Sequence, residues 1–103
     1  MTTQDPFIQM EVLEQAADVL RVLAHPHRLR IVELLEGQRL SVGQLAERLE
    51  LAPAAVSQHL GHMKAHGILA VEREGRAAYY QVANLNAHNV IRCIREHGCG
   101  RAT

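Results

Sequence analysis

Apolar residues recur at helical spacing over the first quarter of the chain, which predicts a first helix over about 7–23. The apolar positions that share one side of this helix are Val12, Ala16, Val19, Leu20 and Leu23, and charged residues take the other side. Phe7, Ile8 and Met10 add apolar surface at its start, more than a monomer would gain from exposing. The segment is therefore expected to pack against more than its own chain.

Two further helices follow, and each has a local start signal. Pro26 suits the first turn of a second helix over about 26–36, which Gly37 ends. The sequence Ser41-Val-Gly-Gln44 has the form of a capping box and predicts a short third helix over about 42–50. The residues expected to face inward in these helices are Leu29, Val32, Leu35, Leu45, Ala46 and Leu49.

A longer helix with a polar face follows the short third helix almost at once. Leu51-Ala52-Pro53 breaks the third helix, and a fourth helix runs from Pro53 to about His66. Because Ala52 is an atypical N-cap, Pro53 must contribute more of the initiation. A short helix, a tight turn and a polar helix predict a helix-turn-helix over about 42–66.

After Gly67 the hydrophobic pattern changes to that of strands. Two short strands over about 68–82 are expected to meet at Glu74-Gly75, with an inward face of Ala78, Tyr80 and Val82. Asn84 then caps a last helix over about 85–97, whose apolar stripe is Val90, Ile91 and Ile94. The sequence therefore predicts one winged helix-turn-helix domain over 1–103, mainly α with a small β-hairpin, in the order of four helices, two strands and one helix.

Composition supports a small aliphatic domain. The chain has 103 residues and is 48% hydrophobic, but it holds one Phe, two Tyr and no Trp, so aliphatic helices must form the core. No apolar run approaches the roughly 20 residues that span a bilayer, and the start, MTTQDPFIQM, lacks the regions of a signal peptide. We expect a cytoplasmic protein that does not enter a membrane.

The charges are divided unevenly along the chain, although the net charge is zero. Residues 1–50 hold eight Asp or Glu against five Arg, and residues 51–103 hold six Lys or Arg against three Glu. An acidic half and a basic half suit a protein that turns one face to phosphate. The modest basic charge predicts an affinity for nucleic acid that depends on dimerisation and falls with salt.

The fourth helix and the hairpin carry the residues suited to duplex DNA. Gln58 can pair bidentately with adenine, and Ser57 and His59 can hydrogen-bond bases or phosphates in the major groove. The other candidates are Ala54 and Ala55 for close approach, His62 and Lys64 for phosphate, and Arg73 and Arg76 for the backbone or a narrow minor groove. A solvated polar helix face is the alternative, and the adjoining hairpin favours DNA contact.

The ordered set of short motifs over about 10–99 resembles the ArsR/SmtB family of bacterial winged-helix repressors. The matching segments are Leu23-Ala-His-Pro-His-Arg-Leu-Arg-Ile-Val, Ser41-Val-Gly-Gln-Leu-Ala, Ala55-Val-Ser-Gln-His-Leu, Gly67-Ile-Leu, Arg73-Glu-Gly-Arg and Tyr79-Tyr. The resemblance implies a homodimer, joined through its first and last helices, that binds a palindromic operator in double-stranded DNA; many members release DNA when a metal or an oxidant binds. The dimer contacts are then expected from Phe7, Val12, Val19, Leu85, Ile91 and Ile94.

The effector sites known in that family are incomplete here. The thiolate site at the third helix would need cysteines where Ser41 and Gly43 stand. The site on the last helix matches Asn86, His88, Cys99 and Ala102, of which two could bind a metal. In the redox-sensing branch Cys99 matches one cysteine, but Glu33 occupies the other position, so a thiol switch would need Cys93 with Cys99, a bond between subunits or a small-thiol adduct.

A different set of four residues near the C-terminus could bind a zinc-like divalent metal: His88, Cys93, His97 and Cys99. Cys93 and His97 are four apart and share a helical face. A small core cysteine and a frayed tail are the alternative. Elsewhere, His62 and His66 form a second such pair on the fourth helix, which a position facing the DNA groove or simple solvation would explain. Capping and surface exposure suffice for His25 and His27.

An enzyme is not expected, because the chain has no Ser/His/Asp set in a plausible cleft and no glycine loop that would cradle phosphate. The predicted function is a dimeric DNA-binding transcriptional repressor released by a metal or thiol-reactive signal. A regulator that needs no ligand and a winged-helix module that binds proteins stay open as alternatives.

Overall fold

The computed structural model describes residues 6–98, over which five helices and three strands follow one another. They are α1 (Met10–Leu23), α2 (Pro26–Leu34), β1 (Leu40–Ser41), α3 (Val42–Leu49), α4 (Pro53–Ala65), β2 (Leu69–Glu74), β3 (Ala77–Val82) and α5 (Leu85–His97). The predicted fold class is confirmed, with a third strand added. Helix α1 begins later than expected, because Gln9 is extended (ψ 143°) and leaves Phe7 and Ile8 outside the helix.

The predicted helix starts are confirmed by their caps. Ser41 Oγ accepts a hydrogen bond from the Gln44 amide at 3.2 Å, and Gln44 Oε1 accepts one from the Ser41 amide at 2.9 Å, which completes the capping box of α3. Asn84 Oδ1 caps α5 by accepting from the Asn86 amide at 2.8 Å. Ala52 makes no side-chain cap, so α4 begins with Pro53 at its first position.

The tight turn between α3 and α4 depends on Glu50. This residue has φ 58° and ψ 45°, and it is the one non-glycine residue of the range 6–98 with a positive φ. The turn is closed by a hydrogen bond from the Leu51 amide to the Ala46 carbonyl at 3.1 Å. A left-handed residue after a helix is the usual geometry of a C-terminal cap, although glycine adopts it more easily than glutamate.

The core lies where α1 to α5 meet the base of the sheet. Its fully buried large side chains are Leu23, Ile31, Leu35, Leu45, Leu60, Met63 and Ile68. Helix α4 contributes Val56, Leu60 and Met63 from one face, and within residues 6–98 no polar or charged side chain is buried. The core is aliphatic, as the composition predicted, and it fixes which side of α4 is turned to solvent.

The three strands form an antiparallel sheet in the order β1-β3-β2. Leu69 pairs with Val82 at the base of the hairpin, and Glu74 pairs with Ala77 at its tip. The connecting turn is therefore Gly75-Arg76, one residue later than predicted, and Gly75 supplies the positive φ (61°) that a two-residue hairpin turn requires. Strand β1 was not predicted; it pairs Leu40 with Tyr80.

Three expectations for α1 and α5 need correction. Val19 (8% exposed) and Ile91 (5%) belong to the core of the chain itself, so they offer almost no surface to a second copy. Leu20, expected on the inner side, is 53% exposed. The apolar residues of α1 cover more of the helix surface than the core of one chain can bury. The edge of the buried surface passes between the adjacent residues Val19, which is inside, and Leu20, which is outside. Over residues 6–98, no helix has the length and apolar character needed to cross a membrane.

Candidate DNA-binding interface

Helix α4 presents a polar face opposite its buried face. Val56, Leu60 and Met63 are buried at intervals of four and three residues, so the positions between them point outward. Of the predicted DNA contacts, the exposed ones on α4 are Ala54, Ser57, Gln58, His62 and Lys64, whereas Ala55 and His59 are half-buried. The structure thus brings five of the seven α4 candidates to the surface of one helix.

Gly61 lies on the same exposed face and was not singled out from the sequence. A Cβ atom built there would meet no atom within 4 Å outside the helix's own backbone. Glycine in a helix interior is destabilising by roughly 0.5–1 kcal/mol relative to alanine, and no neighbouring group of the chain requires it here. Its effect is to leave the backbone of α4 uncovered between Gln58 and His62.

His59 is held by the chain itself. Its Nδ1 accepts a hydrogen bond from Arg28 Nε at 3.1 Å, and its ring meets the His25 ring edge-on, with centroids 4.6 Å apart. Burial, followed by the charges of His25, Arg28 and His27, lowers the pKa of His59. His59 thus contributes to holding α4 against the start of α2.

Arg28 extends this connection to a third helix. While Nε donates to His59, its Nη1 donates to the Val22 carbonyl at 3.1 Å, near the end of α1. The sequence offered no sign of this role, because Arg28 and His59 are 31 positions apart. The position of α4 therefore depends on a hydrogen-bonded contact with α2 as well as on its buried apolar residues.

The wing is organised by Arg39, which sequence reasoning missed. Its guanidinium contacts Glu72 at 2.6 Å and Glu74 at 2.8 Å, and it lies 4.6 Å from the centre of the Tyr79 ring. These ion pairs raise the pKa of Arg39, chiefly through the hydrogen bond to Glu74. Both acidic residues of β2 are thereby paired with a cation from outside the hairpin.

The two arginines predicted to contact DNA stay exposed at the tip of the wing. Arg73 ends β2 next to Glu74, and Arg76 occupies the turn itself. Within residues 6–98, neither makes an ion pair. The hairpin therefore presents cationic side chains at its tip, while its glutamates are paired with Arg39.

Two members of the predicted C-terminal metal set, His88 and Cys93, lie apart within one chain. His88 lies in a groove beside Gln81 and Val82, and Cys93 lies in a separate apolar groove between α1 and α5 beside Leu20. Cys93 is an exposed free cysteine, and His97 Nε2 lies 3.8 Å from Glu96 Oε1. Cys99 and Ala102 lie outside the described residues.

Among the described residues, three other side chains lie close enough together to bind one metal ion: His25, His27 and His59. For His25 and His27 the sequence predicted capping and surface exposure, and one of these two predictions is confirmed. His25 Nδ1 caps α2 by accepting from the His27 amide at 3.2 Å, as expected. Both rings are half-buried, however, rather than exposed, because α4 packs over them.

A short helix, a tight turn, a second helix with a polar exposed face and an adjoining hairpin with a cationic tip define a winged helix-turn-helix domain of the DNA-binding class. Comparison with known proteins agrees. A family model described as a helix-turn-helix domain matches residues 23–72.

Three relatives extend the comparison to nearly the whole chain. The transcriptional repressor SmtB of Mycobacterium tuberculosis is 40% identical over 90 residues, which are 85% of this chain and 66% of the repressor. The transcriptional activator HlyU of Vibrio cholerae is 31% identical over 85 residues, which are 82% of this chain and 79% of the activator. A solved structure of HlyU superposes on the chain with a TM-score of 0.80 at 28% identity, and the superposition covers 87% of this chain and 99% of that structure. The homodimeric winged helix-turn-helix domain Mb0332 of Mycobacterium bovis, a possible ArsR-family regulator, has a TM-score of 0.76 at 26% identity, covering 95% and 90%.

The chain belongs to the ArsR/SmtB family of winged helix-turn-helix transcriptional regulators, a family of regulators rather than enzymes. It spans about two thirds of the length of the mycobacterial SmtB that it matches.

Proposed function

We propose that this chain acts as a homodimer that represses transcription by placing α4 in the major groove of a palindromic operator. The observation that carries the proposal is the exposed polar face of α4 next to a wing whose arginines are unpaired. Gln58 and Ser57 would read base edges, and Arg73 and Arg76 would contact phosphates or a narrow minor groove. Such a regulator would act in the cytoplasm, as expected from the sequence.

The proposed dimer is supported by the apolar surface that the chain leaves uncovered. Among residues 8–98 the large exposed apolar residues are Ile8, Met10, Val12, Leu13, Leu20 and Leu85, and all lie before, on or at the start of α1 and α5. A soluble monomer rarely exposes an apolar patch of this extent unless the patch binds a partner. A second copy would cover these residues and place two α4 helices for two half-sites.

Repression is proposed over activation because the repressor SmtB is more similar in sequence to this chain than the activator HlyU, at 40% against 31% identity. The direction of regulation is tested by placing a reporter gene under the upstream promoter and supplying the protein. Falling expression supports repression, and rising expression contradicts it.

Fluorescence anisotropy with the gene's own upstream DNA tests the DNA contacts. We expect Gln58→Ala to weaken specific binding by about 1–3 kcal/mol, because a bidentate base contact is lost. Arg76→Ala should weaken cognate and scrambled duplexes alike and reduce the salt dependence, because a phosphate contact is lost. Gln38→Ala, an exposed glutamine between α2 and β1, is the matched control.

Unchanged specific affinity in both Gln58→Ala and Arg76→Ala would contradict the assignment of α4 and the wing. A protein that binds no duplex even at low salt would instead support the alternative of a protein-interaction module.

We further propose that a metal or thiol-reactive signal releases the DNA through His88, Cys93, His97 and Cys99. Within one chain His88 and Cys93 lie in different grooves, so this site would have to combine residues of two subunits. Operator binding is measured with and without reductant, zinc and a chelator. Release that disappears in the Cys93→Ser/Cys99→Ser variant supports the sensor, and indifference to every condition supports the ligand-independent regulator.

A further inference from the structure

Three histidines from two separate segments converge between α2 and α4. His25 and His27 flank Pro26 at the start of α2, and His59 lies in the middle of α4. Each offers a ring nitrogen, and these three nitrogens all lie within 4.8 Å of one another. The ring centroids are 4.6 Å apart for His25 and His59, 5.4 Å for His25 and His27, and 5.9 Å for His27 and His59.

This spacing is close to what one zinc-like ion needs. Zinc binds imidazole nitrogen at about 2.0–2.1 Å, which places two nitrogens of a tetrahedral site roughly 3.4 Å apart. The three rings would have to close by at most about 1.5 Å, which rotation of the side chains can supply. All three are half-buried, so their positions are restricted by packing, and three imidazoles leave a fourth position for water.

The charges next to the cluster also bear on metal binding. No carboxylate belongs to the group found in the described residues, while Arg28 is hydrogen-bonded to one member. The dipole at the start of α2 disfavours a cation there, but this effect is small beside coordination by three imidazoles.

We propose that His25, His27 and His59 form a binding site for a borderline divalent cation such as zinc, which would join the start of α2 directly to α4. A neutral imidazole has one acceptor nitrogen, so the ion competes with the present hydrogen bonds. His25 would give up the His27 amide and His59 would give up Arg28 Nε, while Arg28 keeps the Val22 carbonyl. Coordination would thus replace the hydrogen-bonded contact that now positions α4.

The site is tested by measuring metal binding in the absence of DNA. A negative result would then refute the metal site without bearing on the proposed binding to an operator. Protein stripped with a chelator is titrated with zinc in competition with a chromophoric chelator, and with cobalt by absorption. In the Cys93→Ser/Cys99→Ser variant, which lacks the thiols of the sensor proposed above, we expect one ion per chain. His27→Gln and His59→Gln should each lower the affinity by at least about 10- to 100-fold, the loss that removal of even a supporting partner causes.

Two control variants separate this site from other candidates. His66→Gln removes the exposed histidine that follows α4 and lies outside the cluster, and Cys93→Ser/Cys99→Ser removes the thiols near the C-terminus. His66→Gln is expected to bind metal as the original chain does, and the variant without thiols is expected to keep the ion that the three histidines bind. Zinc should also raise the unfolding temperature of the original chain and not that of His27→Gln, because an ion that binds the folded state stabilises it.

Histidine nitrogen resonances of the unsubstituted protein provide a readout that needs no folded variant. Zinc should shift the ring nitrogens of His25, His27 and His59. The proposal is overturned if the chain binds no zinc, if His27→Gln and His59→Gln bind it as the original chain does, or if binding is lost with the thiols.

Discussion

Arg39 Nη2 lies 2.8 Å from Glu74 Oε2, which joins the residue before β1 to the tip of the wing. The same guanidinium reaches Glu72 and covers one face of Tyr79. Two carboxylates on a hairpin that approaches phosphate would repel DNA. If the wing meets DNA as proposed, Arg39 would offset that repulsion, and the wing's cationic character would then be a product of the tertiary structure.

Arg39→Ala is expected to weaken binding to all duplexes several-fold, because Glu72 and Glu74 are then unpaired near the phosphates. Anisotropy on cognate and scrambled DNA measures the effect. Arg21→Ala is the matched control, since it also removes an exposed arginine from an ion pair, with Asp18 on α1. Equal affinities for Arg39→Ala and the original chain would show that these glutamates do not face the DNA.

Gly61→Ala is expected to stabilise the folded chain by about 0.5–1 kcal/mol, because alanine is favoured in a helix and nothing obstructs its methyl group. Unfolding in urea measures this gain. The same variant should bind operator DNA more weakly if the backbone of α4 approaches the bases closely. Gly43→Ala makes the same change in α3, where the new Cβ meets only Ser41 Oγ at 3.9 Å. Operator affinity unchanged by Gly61→Ala would show that α4 does not approach DNA at this point.

Glu33 should give a stability that depends on pH. A hydrogen bond from Arg30 is the largest cause that lowers its pKa below the ordinary 4.5; burial opposes this shift and Arg95 adds to it. Since the folded pKa is the lower one, the carboxylate stabilises the fold fully above about pH 4.5, and this contribution is lost as the pH falls through the folded pKa.

Glu33→Gln should therefore destabilise the chain by less than about 1 kcal/mol at pH 7, because the pair is partly exposed. The difference from the original chain should shrink as the pH approaches 3. Urea unfolding at both pH values tests this, with Glu11→Gln in the first turn of α1 as control. A deficit that is equal at both pH values would refute the assignment.

Leu20→Lys is expected to shift the protein from dimer to monomer while leaving the monomer folded. Leu20 is exposed in the single chain and lines the groove between α1 and α5, so a charge there would be buried only in a dimer. Sedimentation equilibrium measures the mass and circular dichroism the fold. Gln38→Lys places the same charge on an exposed loop. A Leu20→Lys variant that remains dimeric would exclude this groove from the interface.

The sequence by itself determined the elements whose signals are local. The capping box of Ser41 and Gln44, the Asn84 cap and Pro53 each act within a few residues of the helix that they start. The period of the apolar residues likewise fixed the buried face of α4, and so the face turned to solvent. These features can be predicted from the sequence because the residues that interact are close neighbours along the chain.

Only the tertiary structure decided the rest. Arg39 meets Glu72 and Glu74 across 33 and 35 positions, and β1 exists only because β3 returns beside it. The choice between Val19 and Leu20 for the core depended on which side of α1 the other helices cover. His59, in the polar sequence of α4, meets the histidines at the start of α2 because the buried faces of both helices pack into one core. Long-range packing sets these contacts, and no local pattern encodes them.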